Sequence, residues 1–127
     1  MEFRPLGDAG AYPSWIRTLR GKSGVYAIRV SELLFFSRVA YVGESHTGNL
    51  YGTLTRHFQR WGRQKRNWWE GQFTPKATDP GHSYDRRNAA VAVLVCGKYE
   101  AVDLQAAWIA KLSPRDNVAG VLEDAPF

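Results

Sequence analysis

The segment between Gly24 and Gly43 constrains the fold more than any other. VYAIRV, at 25–30, is β-branched and aromatic and suits a strand. Within SELLFFSRVAYVG, residues 35–42 read as a second strand. The connection between them is short, so the two are expected to pair as an antiparallel hairpin. GKSG at 21–24 is a turn signal that opens the first strand, and Gly43 ends the second.

The remaining segments follow from their periodicity. PSWIRTLR at 13–20 suits a short helix. LYGTLTRHFQRW at 50–61 places Leu50, Leu54, Phe58 and Trp61 at helical spacing. FTPKATDPGHSYD at 73–85 carries two prolines and reads as a long loop, a length often tied to function. AAVAVLVC at 89–96 reads as a buried strand, and EAVDLQAAWIAKL at 100–112 as a helix that Ser113-Pro114 stops. This order predicts an α/β (α+β) single-domain sandwich with a three-stranded, mostly antiparallel sheet flanked by helices.

The totals exclude several classes. A chain of 127 residues suits one domain, and 44% hydrophobic with 13% aromatic content argues against disorder. No apolar run approaches the roughly 20 residues that span a bilayer, so no membrane partner is expected. MEFRPLGDAG lacks the basic and apolar regions of a signal peptide, and Cys96 is the lone cysteine. The expected setting is a reducing cytoplasm, with Cys96 a buried, inert thiol. Three histidines and that cysteine, widely spaced, give no zinc pattern. No phosphate-cradling glycine loop occurs, and the neighbours Ser45 and His46 lack the context of a nucleophilic pair.

Net charge is +5. Arg56, Arg60, Arg63, Lys65 and Arg66 fall within eleven residues uninterrupted by an acid, with Trp61, Trp68 and Trp69 beside them. Such a tract can follow a phosphate backbone while Trp68 or Trp69 stacks on bases; alternatively, the tryptophans complete the core. Trp61 and Trp108 are expected in the core, and at least one of Trp68 and Trp69 within reach of a ligand. Tyr84-Asp85-Arg86-Arg87 offers either further phosphate contacts or a surface turn.

Two tripeptides, Gly24-Val25-Tyr26 and Tyr41-Val42-Gly43, lie at strand ends. An arginine-bearing helix, LTRHFQRW, follows, and the last helix leads into Pro114-Arg115-Asp116-Asn117. Taken in order, these residues resemble the GIY-YIG nuclease family over about 23–117. The resemblance implies a Mg²⁺- or Mn²⁺-dependent endonuclease acting on DNA, with RNA left open. It places Tyr26 and Tyr41 around the attacking water and scissile phosphate, with Tyr26 helping to deprotonate the water. Gly43 would let backbone approach the phosphate, and Glu44 lies at the site's edge. An arginine on the first helix would hold the phosphate through its planar fork. Two registers are open. His57 as the one-turn partner puts Thr53 in the arginine slot; Arg56 in the slot has Arg60 one turn later. Arg56, with His57 beside it, is the expected choice. Arg60, Arg63, Lys65, Arg66, Trp68 and Trp69 would extend the nucleic-acid contact. Asn117 matches the family's late asparagine.

The family's metal-ligand glutamate stands nine residues before the proline, and that position holds Gln105. An amide oxygen can coordinate a hard cation but adds no negative charge, so Mg²⁺ would bind more weakly. Three explanations are open: a deliberate change that preserves shape and removes activity, a natural branch in which another acid such as Glu44 serves, or a binding domain that has lost cleavage. The expected function is therefore a metal-dependent endonuclease impaired at Gln105, or a non-cleaving nucleic-acid-binding module on the same scaffold.

Overall fold

A computed structural model describes residues 1–33, 36–59 and 83–117. Among them the chain forms β1 (Arg4–Pro5), α1 (Ser14–Arg17), β2 (Gly24–Leu33), β3 (Phe36–Ser45), α2 (Leu50–Thr55), β4 (Ala89–Val95) and α3 (Lys98–Leu112). Single 3-10 turns, Arg56–Phe58 and Arg86–Asn88, follow α2 and precede β4. The expected strands, helices and antiparallel hairpin are present, but β3 runs past Gly43 to Ser45, and Leu94 and Val95 at the end of β4 are exposed rather than buried. Arg60, Trp61, Arg63, Lys65, Arg66, Trp68 and Trp69, and positions 73–82 of the expected long loop, lie outside the described residues.

Among the described residues the sheet has four strands in the order β1-β4-β2-β3, all antiparallel to their neighbours, where three were expected. The addition is β1, which pairs Arg4 with Val91 and Pro5 with Ala90 at the sheet edge. Two residues are too few to show alternation. Proline, lacking an N–H, is tolerated at an edge.

Alternation along β2 sorts the core into two layers. Tyr26, Ile28 and Val30 face α1 and α2, packing with Ile16, Leu50 and Leu54. Val25 and Ala27, with Val42 of β3, face α3 and meet Leu104, Trp108, Ile109 and Leu112. Trp108 is half-buried there, so it joins the core at its margin.

The β2–β3 ladder shifts register twice, between Ile28 and Arg29 and between Ser31 and Leu33. Ile28 opposes Tyr41 while Arg29 opposes Val39, so Ala40 is the extra residue of a bulge. Its carbonyl accepts from the Asp116 N–H at 2.8 Å, and that of Val39 accepts from Arg115 N–H at 3.1 Å. The tail reaches β3 because α3 stops sharply. Ser113 adopts the left-handed conformation (φ 47°), its N–H bonds the Ile109 carbonyl, and Pro114 follows.

α2 is shorter than the expected 50–61. The Thr55 hydroxyl donates to the Tyr51 carbonyl at 2.7 Å, a back-bond that competes with regular helix, and the next turn tightens to 3-10. α3 begins at Lys98, two residues earlier than expected, because the Glu100 carboxylate accepts from the Gly97 N–H at 3.0 Å and secures the first turn. β4 ends at Val95, so Cys96 stands outside the strand and is half-buried, a correction to the fully buried thiol. Burial, then the carboxylates of Glu100 and Glu44, push its pKa up and disfavour the reactive thiolate.

Candidate functional site

Tyr26 opposes Gly43 across the β2–β3 ladder, and the phenol ring lies directly over the glycine. Any side chain at 43 would collide with that ring. Glycine is thus required for packing, whatever a phosphate demands of it.

The Tyr26 hydroxyl and His57 Nε2 share a hydrogen bond of 2.9 Å inside the protein. Tyr26 is fully buried and His57 is 1% exposed. The tightened turn after α2 carries the imidazole inward. A solvated helix face, the simplest expectation for an isolated histidine there, does not hold. Tyr41, two residues before Gly43, stacks obliquely on the same imidazole with ring centroids 4.7 Å apart. The two phenol rings are 6.5 Å apart. Tyr26, Tyr41 and His57 therefore converge.

Two further residues join them that the sequence did not single out for this role. Tyr84 brings its ring to 6.0 Å from His57, and its N–H donates to the His57 carbonyl at 2.8 Å. Its hydroxyl donates to Asp116 Oδ2 at 2.7 Å. Burial, then the Asp116 carboxylate, push the Tyr84 pKa up from its usual value, so the phenol stays neutral. Arg115 in turn pairs with Asp116 at 2.9 Å. One residue on, the Asn117 carboxamide accepts from the Val42 N–H at 2.8 Å and donates to the Val42 carbonyl at 2.9 Å. The tail thus holds Val42, at the centre of the Tyr41-Val42-Gly43 tripeptide.

Other expected residues fall elsewhere. Arg56 is half-exposed in the turn beside His57. Thr53, one turn before His57, is buried. Arg86 spends its guanidinium on the N-terminal loop, donating to the carbonyls of Leu6, Gly7 and Gly10 at 2.8–3.1 Å and stacking on Tyr12. Arg87 pairs with Asp85 at 3.0 Å on the surface. Gln105 is half-buried on α3, the helix that covers the sheet face opposite the two tyrosines. Tyr26 and Tyr41 thus lie in the layer under α2, and Gln105 lies on the helix of the other layer.

Among the described residues, no three His, Cys, Asp or Glu side chains converge as a metal group. Gln105 contributes a neutral amide, and the Glu44 carboxylate is taken by His46, with Nδ1 at 3.0 Å. These groups fit a firmly held divalent ion poorly. No described helix is long and apolar enough to cross a membrane. Compared with known protein families, curated proteins and solved structures, the chain finds no match.

Proposed function

We propose that the chain is a GIY-YIG-type phosphodiester hydrolase scaffold acting on DNA, or on RNA as the second candidate. The buried Tyr26–His57 hydrogen bond beside Gly43 and Tyr41 supports this reading most strongly. A phenol of ordinary pKa near 10 is a poor base at neutral pH. An imidazole on the hydroxyl answers that difficulty. As water attacks phosphorus, its proton passes to the Tyr26 oxygen while the Tyr26 proton passes to His57 Nε2. The phenolate never stands alone in the buried site. Tyr41 orients the attack and Arg56 holds the phosphate. Arg60, Arg63, Lys65 and Arg66, with Trp68 and Trp69, supply salt-sensitive affinity for the backbone. Mg²⁺ or Mn²⁺ would be weakly held, with Gln105 its only assigned protein donor. A reducing cytoplasm suits the half-exposed Cys96.

A second reading, a non-cleaving nucleic-acid-binding module, draws on the near-complete burial of Tyr26 and His57 and on the neutral Gln105. Supercoiled plasmid, incubated with Mg²⁺ and separately with EDTA, separates the two. Nicked product is expected under the first reading, and retention without nicking under the second. Gln105→Glu should raise Mg²⁺-dependent nicking if the amide impairs a metal site. Brisk cutting that the substitution leaves unchanged contradicts impairment.

A further inference from the structure

We propose that Glu44 and His46 form a second acid–base pair, in which His46 protonates the leaving oxygen of the phosphodiester. The proposal rests on the hydrolytic reading above.

Glu44 opposes Val25 in the ladder, so its side chain points to the α3 side of the sheet, where it is 6% exposed. A carboxylate removed from water has to be paired. Its partner is His46, whose Nδ1 lies 3.0 and 3.1 Å from the two oxygens. An ionised carboxylate only accepts hydrogen bonds, so Nδ1 carries a proton and Nε2 becomes the working atom of the ring. The imidazole is 39% exposed, and Nε2 makes no hydrogen bond to a described residue.

The loop that carries His46 is built to hold it. Ser45 Oγ accepts from Asn49 N–H at 2.9 Å, Ser23 Oγ accepts from Gly48 N–H at 3.0 Å, and the Lys22 carbonyl accepts from Leu50 N–H at 3.0 Å. A half-exposed imidazole whose tautomer is fixed by a buried carboxylate suits a positioned proton donor.

Placement and charge connect the pair to hydrolysis. Tyr26 covers Gly43 from the α2 side, and Glu44, the next residue, projects to the other side. In-line displacement at phosphorus sets the attacking and leaving oxygens on opposite sides. Gln105 brings no charge to hold a cation at the leaving oxygen, and a proton neutralises that oxygen equally well. The water oxygen bonds to phosphorus, and the phosphorus–oxygen bond to the leaving group breaks. Its electron pair takes the proton from Nε2 of the His46 imidazolium. The neutral ring stays hydrogen-bonded to Glu44, and solvent restores the proton.

The test uses an oligonucleotide duplex and its counterparts with sulfur replacing the 3′- or the 5′-bridging oxygen at the cleaved linkage. A thiolate leaves without protonation. His46→Gln should slow cleavage of the oxygen substrate by about 10²–10⁴-fold, the range of general acid catalysis. The sulfur substrate that matches the broken bond should restore it to near the parent rate. Glu44→Gln, at the positioning residue, should lose less and show the same rescue. Equal loss on oxygen and sulfur substrates would mean a loop-holding role and overturns the proposal. So does unchanged cleavage by His46→Gln, which leaves the hydrolytic reading intact. A parent protein that cleaves none of the substrates overturns both.

Discussion

The two faces of the sheet are built on different terms. Toward α1 and α2, β2 and β3 bury phenols against an imidazole, and their polar atoms reach partners such as Tyr26–His57 and Tyr84–Asp116. Toward α3, the same strands present Val25, Ala27 and Val42 to Leu104, Trp108 and Leu112, a hydrocarbon layer flanked by Glu44 near one strand end and by Arg29, stacked on Phe3, toward the other. An apolar layer tolerates small shifts in register or volume. A buried hydrogen-bonded layer does not, because each lost partner leaves a group that water can no longer satisfy. The first face should therefore be the less forgiving, and it carries the chemistry proposed here.

Substitutions can break or sharpen that contrast. The largest effect is expected from Leu54→Ala, which empties a fully buried position on the tyrosine face and should cost about 2–5 kcal/mol in urea unfolding. Leu112→Ala, at a half-buried position on the α3 face, should cost less than half as much; equal losses would erase the asymmetry. Next, Gly43→Ala drives a methyl group into the Tyr26 ring and should cost about 1–3 kcal/mol. Combined with Tyr26→Ala, its cost should shrink, since the clashing ring is gone. Strict additivity in that double-mutant cycle would remove the packing explanation for the glycine.

Asn117→Ala deletes both hydrogen bonds to Val42, with an expected loss of about 1–2 kcal/mol by the same measurement. Tyr84→Phe should have the smallest effect at neutral pH, about 1 kcal/mol. Its signature is its pH dependence. The folded-state pKa of Tyr84 is raised, so the folded protein holds that proton more tightly than the unfolded chain does. The associated stability is complete below the ordinary tyrosine pKa of about 10 and declines as pH rises beyond it. Tyr84→Phe should flatten that alkaline decline. A parent and variant with parallel stability profiles from pH 9 to 11 would contradict the assignment.

Much of the fold was legible because long periodic segments report their own partners. β2, β3 and β4 followed from β-branched runs between turn signals, and α3 from its apolar stripe and proline stop. β1 was not legible: two residues ending in proline carry no alternation, and the strand exists only because β4 offers an edge. The site was legible in its tyrosines and glycines but not in its depth. His57 was expected beside Arg56 with nothing to mark its depth, and its burial follows from the tightened turn after the Thr55 back-bond. Tyr84 and Asp116 meet across 32 residues of chain, a contact that spacing cannot disclose. The Glu44–His46 pair escaped for the opposite reason: its members are two residues apart, a separation that rarely signals chemistry on a loop. Nor could the sequence assign α3, with Gln105, to the sheet face opposite the tyrosines, since that depends on how β2 alternates between layers.

The central claim is that Tyr26 and His57 handle the proton of the attacking water. It is tested most directly by nicking of supercoiled plasmid with Tyr26→Phe, a substitution that keeps the ring over Gly43 and removes only the hydroxyl. The account predicts a folded protein that retains DNA at low salt and nicks at least about 100-fold more slowly than the parent. Nicking by Tyr26→Phe at the parent rate would contradict it.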